Sequence, residues 1–319
     1  MDMDETWKNG LLIYNGHAGQ GELRERLGQI SGILAETCDR LSLIATKEPG
    51  DTERICREEG EMADVVFVLG GDGTVHEAVN GCADLDSPPV LGILPGGTCN
   101  DFSRALGIPQ PLDKAAAAMA SRKVDLIDIG RMNDRWFSNF MGIGLIAEVS
   151  ENQDAKLKQS MGRLSYYVST FKTLSQARPF HYQLETDQGR QEGEAVMILA
   201  ANGFSLGAVQ IPSPSISLED GLLDLFIVRE AGLSSIRHWF TQGASLLDES
   251  QEDIVYLQTS EFTLQTEHGM AIDMDGEMYR FTPADVSVKK KKLPFLTGTR
   301  PVRREQPAQD EEDHKSAQQ

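Results

Sequence analysis

Residues 65–77, Val-Val-Phe-Val-Leu-Gly-Gly-Asp-Gly-Thr-Val-His-Glu, decide how the chain is organised. The apolar run at 65–69 has the length and β-branched content of a strand buried on both faces, as in a parallel sheet. The turn that follows contains Gly70, Gly71 and Gly73, and a helix is predicted to begin at Glu77. A strand, a glycine-rich turn and a helix N-terminus together form a cradle for phosphate, because unpaired N–H groups point at the ligand.

Asp72 lies inside this turn. A carboxylate beside a phosphate is repulsive unless a divalent cation or a hydroxyl lies between them, so we interpret Asp72 as a magnesium or water-mediated contact. The alternative is a tight turn that binds no ligand, which is typical of a bare cluster of glycine and aspartate.

Length and charge restrict the class of protein. A chain of 319 residues predicts two domains. The net charge of -19 argues against a surface that grips nucleic acid, because phosphate contacts require Lys and Arg. It also argues against loose adsorption to anionic membranes, although a local basic patch could serve that purpose.

The cysteines and the chain's N-terminus predict a cytoplasmic protein. Cys38, Cys56, Cys82 and Cys99 form no Cys-x-x-Cys pair and are interpreted as reduced thiols in the core. The first residues are acidic and lack the features of a signal peptide. Because no apolar stretch approaches about 18 residues, a membrane-bound substrate would have to be reached from the aqueous side.

Strands and helices alternate in the first part of the chain, which predicts a doubly wound, Rossmann-like α/β domain over residues 1–129. Two further glycine-rich turns, at 15–21 and 95–104, also follow predicted strands. In such sheets ligands bind outside the carboxyl ends of the strands, where all of these turns collect.

Short strands separated by turn-rich stretches predict a mainly β second domain over residues 130–288, with helices near 162–174 and 236–247. We expect the chain to return to the first domain at about 289–303. The lysine run at 289–292 is interpreted as a solvated strand edge, with a foothold on anionic lipid as the alternative. Residues 304–319 are polar and acidic and predict a disordered tail.

Four motifs together resemble the diacylglycerol kinase catalytic-domain family, in particular its soluble bacterial lipid kinases, which are related to NAD kinases. Each motif alone is weak, but they occur in the family's order over residues 15–277. They are Gly70-Gly71-Asp72-Gly73-Thr74 with Glu77, Asn80 and Gly81; Gly97-Thr98-Cys99-Asn100-Asp101-Phe102-Ser103-Arg104; Asp220-Gly221-Leu222-Leu223-Asp224; and Asp275-Gly276-Glu277.

The resemblance implies a lipid kinase that transfers the γ-phosphoryl of ATP, with Mg²⁺, to the hydroxyl of a lipid alcohol such as diacylglycerol. It also implies a β-sandwich for the second domain and an active-site cleft between the two domains. Transient peripheral contact with the membrane would follow, and a homodimer through the second domain is compatible with the sequence. Physical chemistry agrees, because phosphoryl transfer needs backbone donors for the phosphates, a divalent cation and a base for the hydroxyl proton.

By the same resemblance, several positions are expected to contact ATP. They are Asn15, Gly16, His17, Ala18, Gly19, Thr46, Gly71, Asp72, Gly73, Thr74, Val75, His76, Glu77, Thr98, Asn100, Asp101, Arg104 and Asp128. Two of them have a structural alternative: Asn100 and Asp101 would cap the helix before Phe102. His76 itself is interpreted as helix surface beside the phosphates.

The resemblance puts the general base at Asp275 or Glu277, and the sequence does not choose between them. Together with Asp72 these are the predicted catalytic residues. A structural magnesium is expected on the Asp220 side chain, with carbonyls from Ser217 and Leu222. The alternative for that stretch is an Asp-Gly hairpin turn.

Two positions depart from the family's first turn: Gly16 replaces a proline, and Gln20 stands where a lysine is common. The lost lysine charge leaves open how the phosphates are neutralised, with Arg24 as a candidate. Two alternatives to a lipid kinase stay open, the first because NAD kinases share Gly-Gly-Asp-Gly-Thr and the second because of the departure at Gln20. One is an NAD kinase-like enzyme, and the other is a nucleotide-binding regulatory protein that has lost catalysis.

Overall fold

The structure is a computed structural model. It describes residues 6–16, 20–151, 178–211, 213, 216–232, 253–280 and 282–299, and the side chains of residues 20–24, 149–151, 231 and 280 are outside that description. The predicted helices at 162–174 and 236–247 and the predicted tail at 304–319 lie outside these residues.

The first part of the chain alternates strands and helices as predicted. Its elements are β1 (Trp7–Asn15), α1 (Gln20–Ala35), β2 (Cys38–Thr46), α2 (Asp51–Glu59), a 3-10 turn (Gly60–Met62), β3 (Val65–Gly70), α3 (Asp72–Cys82), β4 (Val90–Pro95), α4 (Asp101–Ala105), α5 (Leu112–Ala120) and β5 (Val124–Met132). The helix predicted to begin at Glu77 was wrong in its start, because α3 begins at Asp72, immediately after the second glycine.

The second part is mainly β, as predicted. Its elements are β6 (Arg135–Phe137), β7 (Phe140–Gly144), α6 (Leu145–Glu151), β8 (Phe180–Thr186), β9 (Gly189–Ala195), β10 (Met197–Ala201), β11 (Ser205–Leu206), β12 (Val209–Gln210), β13 (Leu223–Val228), a 3-10 turn (Glu230–Gly232), β14 (Ile254–Thr259), β15 (Glu261–Thr266), β16 (Ala271–Met274), β17 (Glu277–Arg280) and β18 (Ala284–Leu296).

The first domain is built on parallel strands in the order β2-β1-β3-β4. All of β3 is buried, which is why its sequence is continuously apolar rather than alternating. The carboxyl ends of β1, β3 and β4 lead into the three glycine-rich turns. These turns therefore share one edge of the sheet, as the pattern of the sequence predicted.

A six-stranded antiparallel sheet, ordered β14-β13-β10-β7-β16-β17, forms one layer of the second domain. A second layer contains β15, β8 and β9, and buried side chains such as Ile143, Leu184, Leu225 and Leu264 fill the space between the two layers. The fold class predicted from the sequence, an α/β domain with a β-sandwich domain, is confirmed.

Strand β18 joins the two domains. It pairs with β15 and β5 and then reaches β4, where Phe295 pairs with Leu91 in parallel. Lys289, Lys290 and Lys291 are exposed, but β18 is an interior strand and the run coincides with a bulge between Lys289 and Leu293. The edge-strand interpretation of the lysine run was therefore wrong, whereas its solvation is confirmed.

Candidate active site

The second and third glycine-rich turns lie against each other. The Gly96 N–H donates to the Gly70 carbonyl at 2.8 Å. A Cβ on Gly97 would lie 2.6 Å from the Cα of Gly71, closer than real Cβ atoms approach. Only glycine fits at this contact, and the bare backbone of both turns is left open to a ligand.

Helix α3 begins directly in this cradle. Gly71 is its N-cap, with extended backbone, and no side chain caps the helix. The first N–H groups of α3 consequently lack intrahelical acceptors and carry the positive end of the helix dipole. This geometry fits the phosphates of a nucleotide, and the predicted residues Gly71, Gly73 and Thr74 lie in it, each half-buried.

The first turn meets the end of β2. The Gly16 N–H donates to the Thr46 carbonyl at 3.1 Å, and a Cβ at position 16 would lie 2.8 Å from that oxygen. This close approach explains glycine where the family commonly has proline. Asn15 ends β1 opposite Thr46 in the parallel register. His17, Ala18 and Gly19 lie outside the described residues.

Asp72 is engaged by the third turn. Its Oδ2 accepts the Asn100 N–H at 3.0 Å and its Oδ1 accepts the Asp101 N–H at 2.7 Å, so Asp72 caps α4 from the first position of α3. The Asn100 side chain instead bonds both backbone groups of Gly97, at 2.8 and 3.0 Å.

Asp101 links the two domains. Its side chain is buried and accepts the Ser205 hydroxyl at 2.6 Å and the N–H groups of Gly207 and Ala208 at 2.7 Å each. Burial raises the pKa of Asp101, and these hydrogen bonds oppose the rise. Ligand atoms of Asp72, Cys99 and Asp101 lie within 4.8 Å of one another, but both carboxylates already accept at least two N–H groups.

Four other residues that were predicted to contact the nucleotide are Glu77, Arg104, Thr98 and Val75. Glu77 accepts the N–H groups of Gly50 and Thr52 at 2.8 and 3.1 Å, at the start of α2. The Arg104 Nε donates to the Cys99 carbonyl at 2.9 Å. Thr98 is exposed in the third turn and Val75 is buried in α3.

Asp128 is fully buried where the domains join. Its carboxylate accepts the Gly221 and Lys291 N–H groups, each at 2.6 Å. Gly221 belongs to the loop predicted to hold magnesium, so the structure brings Asp128 to that loop. In the same loop the Asp220 carboxylate accepts the Leu222 N–H at 3.0 Å, and the Lys290 ammonium donates to the Asp220 carbonyl at 3.2 Å.

The predicted magnesium ligands are Asp220, Ser217 and Leu222. A carboxylate and backbone carbonyls form the hard oxygen set that Mg²⁺ prefers. The residues present therefore fit the ion by chemical type.

Asp275 and Glu277 differ sharply in environment. Asp275 is buried, and its carboxylate accepts the N–H groups of Ser138, Asn139 and Phe140 at 2.8 to 3.0 Å, and the Ser138 hydroxyl at 3.2 Å. Glu277 is exposed, and its Oε1 would lie 2.7 Å from a Cβ on Gly73 of α3. Glu277 thus faces the phosphate cradle from the second domain, whereas Asp275 anchors the turn that carries it.

His76 is buried, so its interpretation as helix surface was wrong. Its Nδ1 lies 3.1 Å from Asp275 Oδ2 and its Nε2 lies 2.7 Å from the Tyr279 hydroxyl. A polar pair at i and i+4 in α3, His76 and Asn80, was the sequence signal that this helix face meets polar groups.

Arg26 was missed by the sequence reasoning. A guanidinium nitrogen of Arg26 lies 3.4 Å from the Gly96 carbonyl, at the contact of the second and third turns. Arg26 follows Leu23 by three positions and precedes Ile30 by four, so it interrupts the apolar face of α1. A charge on a sheet-facing helix surface is the signal that could have identified it.

A pocket opens between the domains beside these groups. Asp72, Cys99, Asp101, Phe102, Ser138, Asn139, Phe140, Leu206, Gly207, Asp275 and Gly276 line it. Acidic and apolar groups share its wall. Phe140 belongs to this wall, whereas Ile143 lies in the core of the sandwich.

Comparisons with known proteins agree with this geometry. Residues 9–132 match the diacylglycerol kinase catalytic domain, and residues 140–297 match the YegS C-terminal NAD kinase beta sandwich-like domain. A Staphylococcus carnosus protein named "Putative lipid kinase" is 36% identical over 300 residues, covering 92% of this chain and 98% of its own. A Staphylococcus aureus protein named "Putative lipid kinase SA0681" is 35% identical over 301 residues, covering 92% and 99%.

Solved structures give the same result. The "Crystal structure of a putative diacylglycerol kinase from Bacillus anthracis str. Sterne" superposes with a TM-score of 0.84 at 36% identity, covering 92% of this chain and 98% of that one. A second Bacillus anthracis diacylglycerol kinase structure has a TM-score of 0.82 at 34% identity, covering 92% and 99%. The chain belongs to the family of lipid kinases that carry the diacylglycerol kinase catalytic domain. No helix among the described residues is long and apolar enough to cross a membrane.

Proposed function

We propose that the protein is an ATP-dependent lipid kinase that phosphorylates the hydroxyl of a lipid alcohol, with diacylglycerol as acceptor and phosphatidic acid as product. The observation that carries the proposal is the position of the exposed Glu277 carboxylate, which comes from the second domain and lies against Gly73 in the first turn of α3. A base and a phosphate cradle thus face each other from different domains.

In this mechanism Glu277 accepts the proton of the lipid hydroxyl while the hydroxyl oxygen bonds to the γ-phosphorus of ATP. The bond from the γ-phosphorus to the bridging oxygen breaks, and ADP leaves with that oxygen. A general base of this kind is worth about 10²–10⁴-fold in rate. Asp275 is the weaker candidate, because its buried carboxylate already accepts three backbone N–H groups.

Neutralisation of the phosphates is assigned to α3 and to Arg26. The N–H groups at the start of α3 donate to the nucleotide, and the Arg26 guanidinium supplies the positive charge that Gln20 does not. Mg²⁺, when bound with ATP, would add charge stabilisation, and Asp72 would offer it a carboxylate at the start of α3. Mg²⁺ on Asp220, Ser217 and Leu222 would stabilise the second domain, away from the phosphoryl group that is transferred.

A second candidate is an NAD kinase-like enzyme, favoured by the match of residues 140–297 to a C-terminal domain described as NAD kinase beta sandwich-like. A catalytically silent nucleotide-binding protein is the third, and the accessible Glu277 weighs against it. Transient membrane contact belongs to the first candidate alone, since the acceptor then lies in a lipid surface.

One experiment distinguishes the three candidate functions. ATP labelled at its γ-phosphorus is offered with diacylglycerol, sphingosine and a polyprenol in mixed micelles, and separately with NAD. We expect label in a chloroform-soluble phospholipid with the diacylglycerol sample. Label in NADP would support the second candidate, and ATP binding without transfer to any acceptor would support the third.

A further inference from the structure

A buried imidazole connects the nucleotide helix to the turn that carries the proposed base. His76 is 2% exposed and lies one helical turn after Gly73 in α3. It contacts Asp275 through Nδ1 and Tyr279 through Nε2, at 3.1 and 2.7 Å. Asp275 lies two residues before Glu277 and Tyr279 lies two residues after it. The His76 ring therefore contacts the chain on both sides of the proposed base.

The neighbouring donors fix which way each hydrogen bond runs. The Asp275 carboxylate already accepts from Ser138, Asn139 and Phe140, so the His76 Nδ1 must carry the proton and donate to it. In the neutral imidazole the His76 Nε2 is then an acceptor, and the Tyr279 hydroxyl donates to it. Burial raises the pKa of Tyr279, although the hydrogen bond from Arg135 opposes the rise, so the phenol keeps the proton that it donates.

Asn80 does not compete for Nε2. Its Nδ2 donates to the carbonyls of His76 and Trp136, both at 2.9 Å, which uses its two hydrogens. Arg135 completes the chain: it lies 3.4 Å from the Tyr279 hydroxyl and is held by both oxygens of Glu53, at 3.0 and 2.8 Å. The hydrogen bonds therefore run in one direction, from Arg135 through Tyr279 and His76 to Asp275.

We propose that His76 is a positioning residue for Glu277: it joins both sides of the 275–279 hairpin to α3 and so sets the base over the phosphate cradle. The proposal rests on the proposed lipid kinase function. In β17 residues 277 and 279 share one face, so fixing the Tyr279 ring also fixes the direction from which the Glu277 side chain leaves the strand. His76 does not itself contact substrate in this assignment.

Three variants test the proposal. His76→Leu removes both hydrogen bonds, His76→Asn keeps an N–H that can donate to Asp275, and Tyr279→Phe removes the donor to Nε2. We expect kcat to fall about 10²-fold in His76→Leu, because a misplacement of about 1 Å costs that much. His76→Asn should recover part of the loss and Tyr279→Phe should lose less. The Kd for ATP, measured by calorimetry, should change less than threefold in all of them.

A double-variant comparison separates positioning from general damage. If His76 acts through Glu277, adding His76→Leu to Glu277→Gln should not lower the residual transfer rate further. A second tenfold loss in that background, or full kcat in His76→Leu with diacylglycerol, would overturn the proposal. If His76→Leu does not fold, a Tyr279→Phe and a His76→Asn enzyme that both keep the full kcat overturn it equally.

The failure of this proposal and the failure of the proposed function are distinguishable. The wild-type enzyme is assayed first with labelled ATP and diacylglycerol. Absence of transfer by the wild type refutes the lipid kinase assignment. Transfer by the wild type that does not depend on His76 refutes the positioning role alone.

Discussion

Replacement of Gly73 by alanine tests whether Glu277 stands where the chemistry needs it. A Cβ on Gly73 would lie 2.7 Å from Glu277 Oε1 and 3.8 Å from Glu277 Cδ, with no other contact within 4 Å among the residues that the structure describes. Ordinary contact begins at 3.4 Å, so the carboxylate must retreat by roughly 0.7 Å. Because a displacement of about 1 Å at a reacting group can cost 10²-fold, we expect kcat to fall by about one to two orders of magnitude.

The fold should tolerate Gly73→Ala. Gly73 lies in the first turn of α3, and alanine is favoured over glycine in helices by up to about 1 kcal/mol. The clash is with the end of a flexible side chain, which can rotate away. The melting temperature should therefore stay constant or rise while kcat falls, a combination that a packing defect does not produce.

The assay is steady-state transfer of labelled phosphate to diacylglycerol in mixed micelles, with ATP binding measured separately by calorimetry. Gly28→Ala in α1 is the matched control, because a Cβ there meets no atom of the described part of the chain within 4 Å. In the Glu277→Gln background, Gly73→Ala should cause no further loss. An unchanged kcat in Gly73→Ala, or a loss that persists in that background, would refute the assignment of Glu277.

Three further outcomes are expected. Arg26→Ala should weaken ATP binding about tenfold and AMP binding much less, since a charge-assisted hydrogen bond contributes about 1.5–3 kcal/mol. Equal losses for both nucleotides, or the same loss in the exposed control Arg40→Ala, would contradict the role of Arg26 in phosphate binding. Mg²⁺ should raise the melting temperature of the protein without nucleotide, and Asp220→Asn should abolish the rise; a rise that survives the substitution would remove Asp220 from the metal site. The hydrogen bond from Arg135 holds the pKa of Glu53 below its usual value of 4.5. The stability that Glu53 contributes is therefore present above pH 4.5 and is lost as the pH falls through the lowered pKa. Urea unfolding between about pH 6 and pH 3 should accordingly be less pH-dependent in Glu53→Gln than in the wild type; identical pH dependence would show that the ion pair is not linked to folding.

The sequence predicted the architecture because the signals were local. The apolar run at 65–69 and the glycines after it specify a buried strand and an open turn with no knowledge of the rest of the chain. Alternation of strands and helices then placed three such turns at one sheet edge. The position where α3 begins was less well predicted. Its N-cap is Gly71, which has no side chain to cap the helix and therefore gives little sequence signal.

The choice between Asp275 and Glu277 depended on contacts that no local pattern contains. Asp275 is held by N–H groups of residues 138–140, more than 130 positions earlier in the chain. Asp72, the first residue of α3, likewise accepts the N–H groups of Asn100 and Asp101, two residues that were predicted to be caps in their own right. Both cases pair an acid with backbone donors from another element, and backbone donors have no residue identity to recognise.

A single-turnover experiment tests the central claim most directly. Enzyme in excess over γ-labelled ATP is mixed with diacylglycerol micelles, and label in phosphatidic acid is followed with time for the wild type and for Glu277→Gln. We expect the wild type to transfer the label, and Glu277→Gln to bind ATP with unchanged affinity but to transfer it at least about 10²-fold more slowly. Equal transfer rates for the two proteins, or no transfer by the wild type, would contradict the account.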